Sequence, residues 1–365
     1  MTNNSERLNT KISRPSPRFF VTDDDVHSPT EYRDAPKETS GEFGQGPNAT
    51  TRSVNRMKTL DIVSLLNTPS IGRKTVHYIC EHYKQSISSA DELLDVIIDA
   101  KKSISRIKIP DKEAFFECYD KAAQLIELSR ANGIEILGIT DPLFPNRYRA
   151  IPDAPVVIHA KGNVHALNIE KTVAIVGTRE PTEFGIKAGE RLSSIFAKHQ
   201  FAVVSGLAIG CDTVAHLGCL NAGGITVAIM ARGLDKIYPS ENTALAHRIL
   251  DSNGCWVSEY PFGMPPLNNY FVDRDRLQSG LSQAVVVIET DIKGGTMHTV
   301  GFTIKQNRYL ACLSGHPDKF SGHAKVQGNI ELIRGGKAKS LGSAAEIDDF
   351  IKVLLENNLE HSIHR

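Results

Sequence analysis

The chain has 365 residues, 41% hydrophobic and 23% charged, a composition that suits a globular protein with a sizeable core. Its 42 basic and 42 acidic residues cancel, so a nucleic-acid surface would have to come from local clustering, not net charge. No apolar run approaches the roughly 20 residues of a membrane span, and "MTNNSERLNTKISRPSP" lacks the apolar core of a secretory signal, so a cytoplasmic location is expected. The six cysteines form no CxxC pair. They are expected to be reduced thiols, with no metal and no cofactor.

Residues 1–55 are rich in Ser, Thr, Asn, Pro and mixed charge. They hold too little apolar surface to offset ordering entropy and are expected to be disordered. From residue 56 to 132 the pattern changes to helical spacing, as in "TLDIVSLLNTPSIGRKTVHYICEHY" and "KEAFFECYDKAAQLIELSRANG". A small helical domain is expected there, ending at Asn132-Gly133. Within it, "LLNTPSIGRKTVHYI" resembles a helix-hairpin-helix in which Ser70 replaces the first glycine and Gly72 is kept. The turn either offers backbone N–H groups to a DNA phosphate or is a capped helix-helix turn with no ligand.

Residues 133–340 read as the main domain, and 341–365 as a C-terminal amphipathic helix. After a connecting segment with one or two strands, the pattern alternates strand and helix. Predicted strands are 172–176, 202–204, 225–230, 256–257, 284–289 and 309–312; predicted helices include 184–199, 212–222, 241–252 and 296–306. Short apolar strands separated by helices indicate an α/β fold: a Rossmann-like, doubly wound, mostly parallel sheet. "SGHPDKFSGHAKVQGN" reads as a mobile loop.

Ligands of such a sheet bind at the carboxyl ends of its strands. Four loops there are informative: Gly177-Thr178-Arg179, then Ser205-Gly206, then Arg232-Gly233 with Lys236, then Lys293-Gly294-Gly295-Thr296. Glycine admits close approach, hydroxyls donate to phosphate oxygens, and helix N-termini favour anions. Their convergence points to a phosphate-bearing ligand. Neither the dinucleotide fingerprint nor the P-loop is present, and Arg179 offers a bidentate grip on phosphate. Of the aromatic residues near this rim, Tyr238, Tyr260, Tyr270 and Phe271, Tyr270 is the one expected to stack on a base. Asp212 and His216, at i and i+4, read as a helix-capping carboxylate and a packed histidine.

The segments "AIVGTREPTEFG", "VVSGLAIGCDTVAHLGCLNAGGITVAIMARGLDKIYPSEN", "VSEYPFG" and "RDRLQSGLSQAVVVIET" resemble the DNA-processing protein A family, DprA or Smf. The resemblance spans about residues 134–335. It implies a non-catalytic protein that binds single-stranded DNA, acts as a dimer and loads a RecA-type recombinase during DNA uptake. Carried over by motif, the pocket would use Gly177, Arg179, Ser205, Gly206, Lys236, Arg274 and Arg276. The sequence departs from the family's R-N-R at "RDR", placing Asp275 in the middle, and has Phe271-Val272 for its F-P. It has Gly294-Gly295-Thr296-Met297 for its S-G-S-L turn and Ser314-Gly315 for its P-G. Two other functions fit the same rim: a nucleotide-sensing domain of a defence system, and a phosphoribohydrolase. The hydrolase needs carboxylate chemistry that Glu289 alone does not supply.

Overall fold

A computed structural model describes residues 57–363, with side chains through 356; the tail expected to be disordered lies outside the described residues. Four helices come first: α1 (Thr59–Asn67), α2 (Arg73–His82), α3 (Ala90–Ser103) and α4 (Lys112–Ala131). Ser89 and Asp111 cap α3 and α4 by accepting from the backbone N–H three residues on. The α1–α2 turn puts Ser70 at φ 69°. Its hydroxyl accepts from the Lys108 N–H at 3.0 Å. The turn is thus tied to its own helical layer, while Gly72 begins α2 with no side-chain cap bond. Leu65, Val76, Ile79, Leu93, Ile97 and Phe115 fill the core of this layer, and Val156 and Val157 join it from the sheet side.

The remaining chain runs β1 (Ile134–Gly138), α5 (Asn146–Arg149), β2 (Val157–Gly162), β3 (Thr172–Val176), α6 (Glu183–Lys198), β4 (Ala202–Ser205), α7 (Cys211–Asn221) and β5 (Thr226–Ile229). It continues as α8 (Thr243–Asp251), β6 (Cys255–Ser258), α9 (Asn268–Leu281), β7 (Ala284–Val287), α10 (Thr296–Lys305) and β8 (Tyr309–Leu313). It closes with α11 (Asp318–Ser321), α12 (Ala324–Arg334), β9 (Lys339–Leu341) and α13 (Ala344–Ile363). All nine strands form one sheet in the order β1-β2-β6-β5-β4-β3-β7-β8-β9. The seven from β6 to β9 are parallel, while β1 and β2 extend the sheet antiparallel beyond β6.

The predicted α/β architecture is the one observed. Strand periodicity builds its two faces. Ala174 and Val176 point to one core with Leu277 and Leu281 of α9 and Val300 of α10. Val173 and Ile175 point to the other with Leu192 and Phe196 of α6 and Ile351 of α13. Each such fully buried aliphatic contributes about 1.5–3 kcal/mol.

The connecting segment supplies two strands of the main sheet, within the one or two expected. Two segments differ from the sequence-based expectation. A helix, α9, occupies residues 268–281. The segment read as a mobile loop contains α11 and the start of α12, where the His323 side chain accepts from the Lys325 N–H.

From β3 the strand order runs one way through β4, β5 and β6, and the other way through β7, β8 and β9. The crevice beyond the ends of β3 and β7 is therefore the topological switch point, where open α/β sheets take their ligands.

Candidate functional site

The loops after β3 and β7 meet directly. The Thr178 N–H donates to the Glu289 carbonyl at 2.7 Å. Gly177 permits this approach, because a Cβ there would lie 2.8 Å from the same carbonyl and 2.9 Å from Cys211 Cβ. Above them opens a cavity of about 510 Å³. Its walls come from the β3–α6 loop, the β7–α10 loop, and the helices α9 and α12.

Seven of the predicted residues line it: Gly177, Thr178, Arg179, Arg274, Gly294, Gly295 and Thr296. Gly206 lines a smaller adjoining cavity that shares Arg179, Phe271 and Arg274 with the first. Gly206 has a clear steric role: a Cβ would collide with the Arg274 guanidinium, which packs over it.

Four predicted residues fall outside both cavities. Ser205 is fully buried, and its hydroxyl donates to the Ile175 carbonyl at 2.7 Å, which ties β4 to β3. Arg276 is buried on the opposite face of α9 and ion-paired to Glu259, itself 3.5 Å from Arg73. Residues two apart on a helix diverge by about 200°, so a ligand at Arg274 is out of reach of Arg276. Lys236 and Lys293 are exposed and line neither cavity.

The cations that do face the main cavity are unequal. Arg179 is exposed and, among the described residues, has no carboxylate within ion-pair distance. Its guanidinium lies 5.6 Å from the Phe271 ring centroid, a cation–π contact that orients it. Arg274 is 6% exposed at its side chain. It donates to the Ile229 carbonyl at 3.0 Å, lies 3.3 Å from Asp275 and is 3.9 Å from Asp212. Lys325, on α12, contacts Asp291 at 3.2 Å and Glu180 at 3.5 Å. The hydrogen bond to Asp291 raises its pKa further.

The acids respond to burial. Desolvation raises the Asp212 carboxyl, with Arg274 opposing. It pushes Asp275 up to about 7, again against the pull of Arg274. Asp212 also accepts from the Ala208 N–H at 3.3 Å, and His216 is buried with Nδ1 2.7 Å from the Thr226 hydroxyl. His216 is packed as expected, but Asp212 does not cap α7, whose N-cap is Gly210 with no side-chain cap bond; it lines the cavity instead.

Glu289 is fully buried, and its oxygens lie 2.7 Å from the Thr182 N–H and hydroxyl and 3.0 Å from His316 Nε2. Burial would raise its pKa, but the hydrogen bonds from His316 and Thr182 outweigh it and hold the carboxyl low. These bonds also close the N-terminus of α6 to any ligand. The N-terminus of α10 is open by comparison: Gly294, Gly295 and Thr296 line the cavity, and its first turn has no acid.

Sequence reasoning placed Phe271 near the rim and Asp275 within the R-D-R motif, but missed Lys325 and the pairing of Asp212 with Arg274. Tyr270, expected to stack on a base, instead stacks on Tyr260 with ring centroids 3.8 Å apart. Lys325 had one available signal, its position at the start of a helix following a histidine cap.

Comparison with known proteins adds the lineage. Residues 135–353 match the family model described as DNA recombination-mediator protein A. The DNA processing protein DprA of Bacillus subtilis is 32% identical over 257 residues, covering 69% of this chain and 82% of that protein. The DprA structure from Streptococcus pneumoniae superposes with a TM-score of 0.66 at 25% identity, covering 80% of this chain and 97% of that one. A DprA from Helicobacter pylori, described for a unique single-stranded DNA binding mode, superposes with a TM-score of 0.54 at 28% identity, covering 61% and 96%.

Proposed function

The chain belongs to the DNA recombination-mediator protein A family, and from that premise we propose that it binds single-stranded DNA at the switch-point cavity. The observation that carries this reading is Arg179: an exposed guanidinium without an ion-pair partner beside the open N-terminus of α10. A phosphate between them would take a bidentate grip from Arg179 and the N–H groups of Gly295 and Thr296 at the start of α10. A base would then lie against Phe271, where the two cavities meet. Glu289 is tied up by Thr182 and His316, which argues against glycosidic hydrolysis and favours binding without catalysis.

The wider role follows the family: dimerisation would let two such cavities share one strand, and delivery of that strand to a RecA-type recombinase would take place in the cytoplasm. No described helix is long and apolar enough to cross a membrane. The binding test is a side-by-side titration with single-stranded DNA, duplex DNA and a mononucleotide at two salt concentrations. Single-stranded DNA is expected to bind best, with a steep salt dependence. Tighter binding of the mononucleotide with a shallow salt slope would favour a nucleotide sensor instead.

A further inference from the structure

Four carboxylates, Glu180, Asp212, Asp275 and Asp291, line the cavity that Arg179 opens onto. All four have partners. Asp291 and Glu180 hold Lys325, and Asp212 accepts from the Ala208 N–H beside Arg274. Asp275 differs in position and in environment. It follows Arg274 on α9 and borders the cavity itself, with its side chain 15% exposed. It shares the Arg274 charge with Asp212, so one arginine faces two buried acids. One cation cannot neutralise both, and the shortfall falls on the space where a phosphate would enter.

We propose that Asp275 sets the affinity of this cavity for nucleic-acid phosphate, admitting the anion when its carboxyl is neutral and repelling it when charged. The inference rests on the DNA-binding reading and adds to it a residue that tunes affinity. Every element packed around Asp275 bears on its charge. Arg274 neighbours it on α9, Asp212 comes from α7, and Arg179 and Glu180 from the β3–α6 loop. Asp291 precedes α10, His298 and Thr299 lie on α10, and Lys325 on α12. Burial is the largest influence and moves the carboxyl up to about 7; Arg274, Thr299 and Arg179 pull it down, and Asp212 pushes it up. Its charge therefore changes near neutral pH.

The sign follows. Below about pH 7 Asp275 is protonated and the cavity carries one more net positive charge. A bound phosphate disfavours the carboxylate and raises its pKa further, so binding takes up as much as one proton. Affinity therefore falls as pH rises through the free-state value, and levels off above the bound-state value.

The experiment measures binding of a fluorescent oligothymidylate to the full chain at constant ionic strength. Between about pH 6 and pH 8.5 the wild-type dissociation constant is expected to rise about tenfold. Asp275→Asn is expected to flatten the profile at the tight acid-side value, whereas His298→Gln keeps the slope and Asp212→Asn, by removing a charge that pushes Asp275 up, shifts the profile to lower pH. A slope that survives Asp275→Asn, or that vanishes in His298→Gln, overturns the proposal. Because Asp275→Asn also alters the Arg274 environment, a second measurement uses wild-type protein alone. Calorimetric binding near pH 7.5 in buffers of different ionisation enthalpy should show proton uptake, and zero uptake overturns the proposal. If the oligonucleotide fails to bind even at acid pH and low salt, the DNA reading itself falls and this proposal with it. Tight binding with no uptake removes only the role of Asp275.

Discussion

Arg179 and Arg274 line the same cavity and carry the same charge, yet only one is available to a ligand. Arg179 comes from a loop at the solvent edge, where its guanidinium rests over the Phe271 ring. Arg274 comes from a buried helix and is spent on the Ile229 carbonyl, Asp275 and Asp212. The difference teaches that a basic residue in a phosphate site must be judged by its own partners. A buried guanidinium between two acids holds elements together. An exposed one resting on an aromatic ring is left free to meet a ligand.

The largest expected effect tests the buried member. Arg274→Ala leaves Asp212 and Asp275 uncompensated and opens space beside Gly206. Urea denaturation should show a stability loss of about 3–5 kcal/mol. A loss within ordinary surface range would mean that Arg274 is as free as Arg179 and would erase the contrast. Next comes Arg179→Ala. Folding stability should stay within about 0.5 kcal/mol, since the residue is exposed. Single-stranded DNA affinity at low salt should fall about tenfold for all sequences alike, and the logarithmic salt slope should shrink by about one. An unchanged slope would make Arg179 structural. The smallest effect belongs to Lys325→Gln. Asp291 and Glu180 already neutralise this lysine, so affinity should change less than about threefold. A loss as large as that of Arg179→Ala would show that Lys325 leaves its acids when DNA arrives.

The strands from β3 to β8 were legible because each is short, apolar and followed by a turn or helix, and buried parallel strands admit few alternatives. The helix α9 was not legible. Its buried face includes Arg274, Arg276, Gln278 and Ser279, so its apolar signal is reduced to little more than Leu277 and Leu281. Helical periodicity is a hydrophobic signal, and a helix that buries charge conceals it. Glycine, proline and two nearby histidines hid the start of α12 in the same way, and Lys325 with it. Half of the site was readable from the β3–α6 and β7–α10 loops, where Gly177, Arg179 and Gly294–Thr296 follow their strands directly. Ser205 misled because its hydroxyl points back to β3, a direction set by which strand lies beside β4.

The sequence by itself determined the α/β alternation, the rim of glycine-bearing loops at the strand ends, and the kinship, because each of these is carried by neighbouring residues in fixed order. Tertiary structure alone decided which cations are spare. Arg274 is answered by Asp212 from 62 positions away as well as by its neighbour Asp275, Arg276 by Glu259, and Lys325 by Asp291 and Glu180. Electrostatic compensation depends on distance in space and on burial, and chain order specifies neither until the fold brings the partners together.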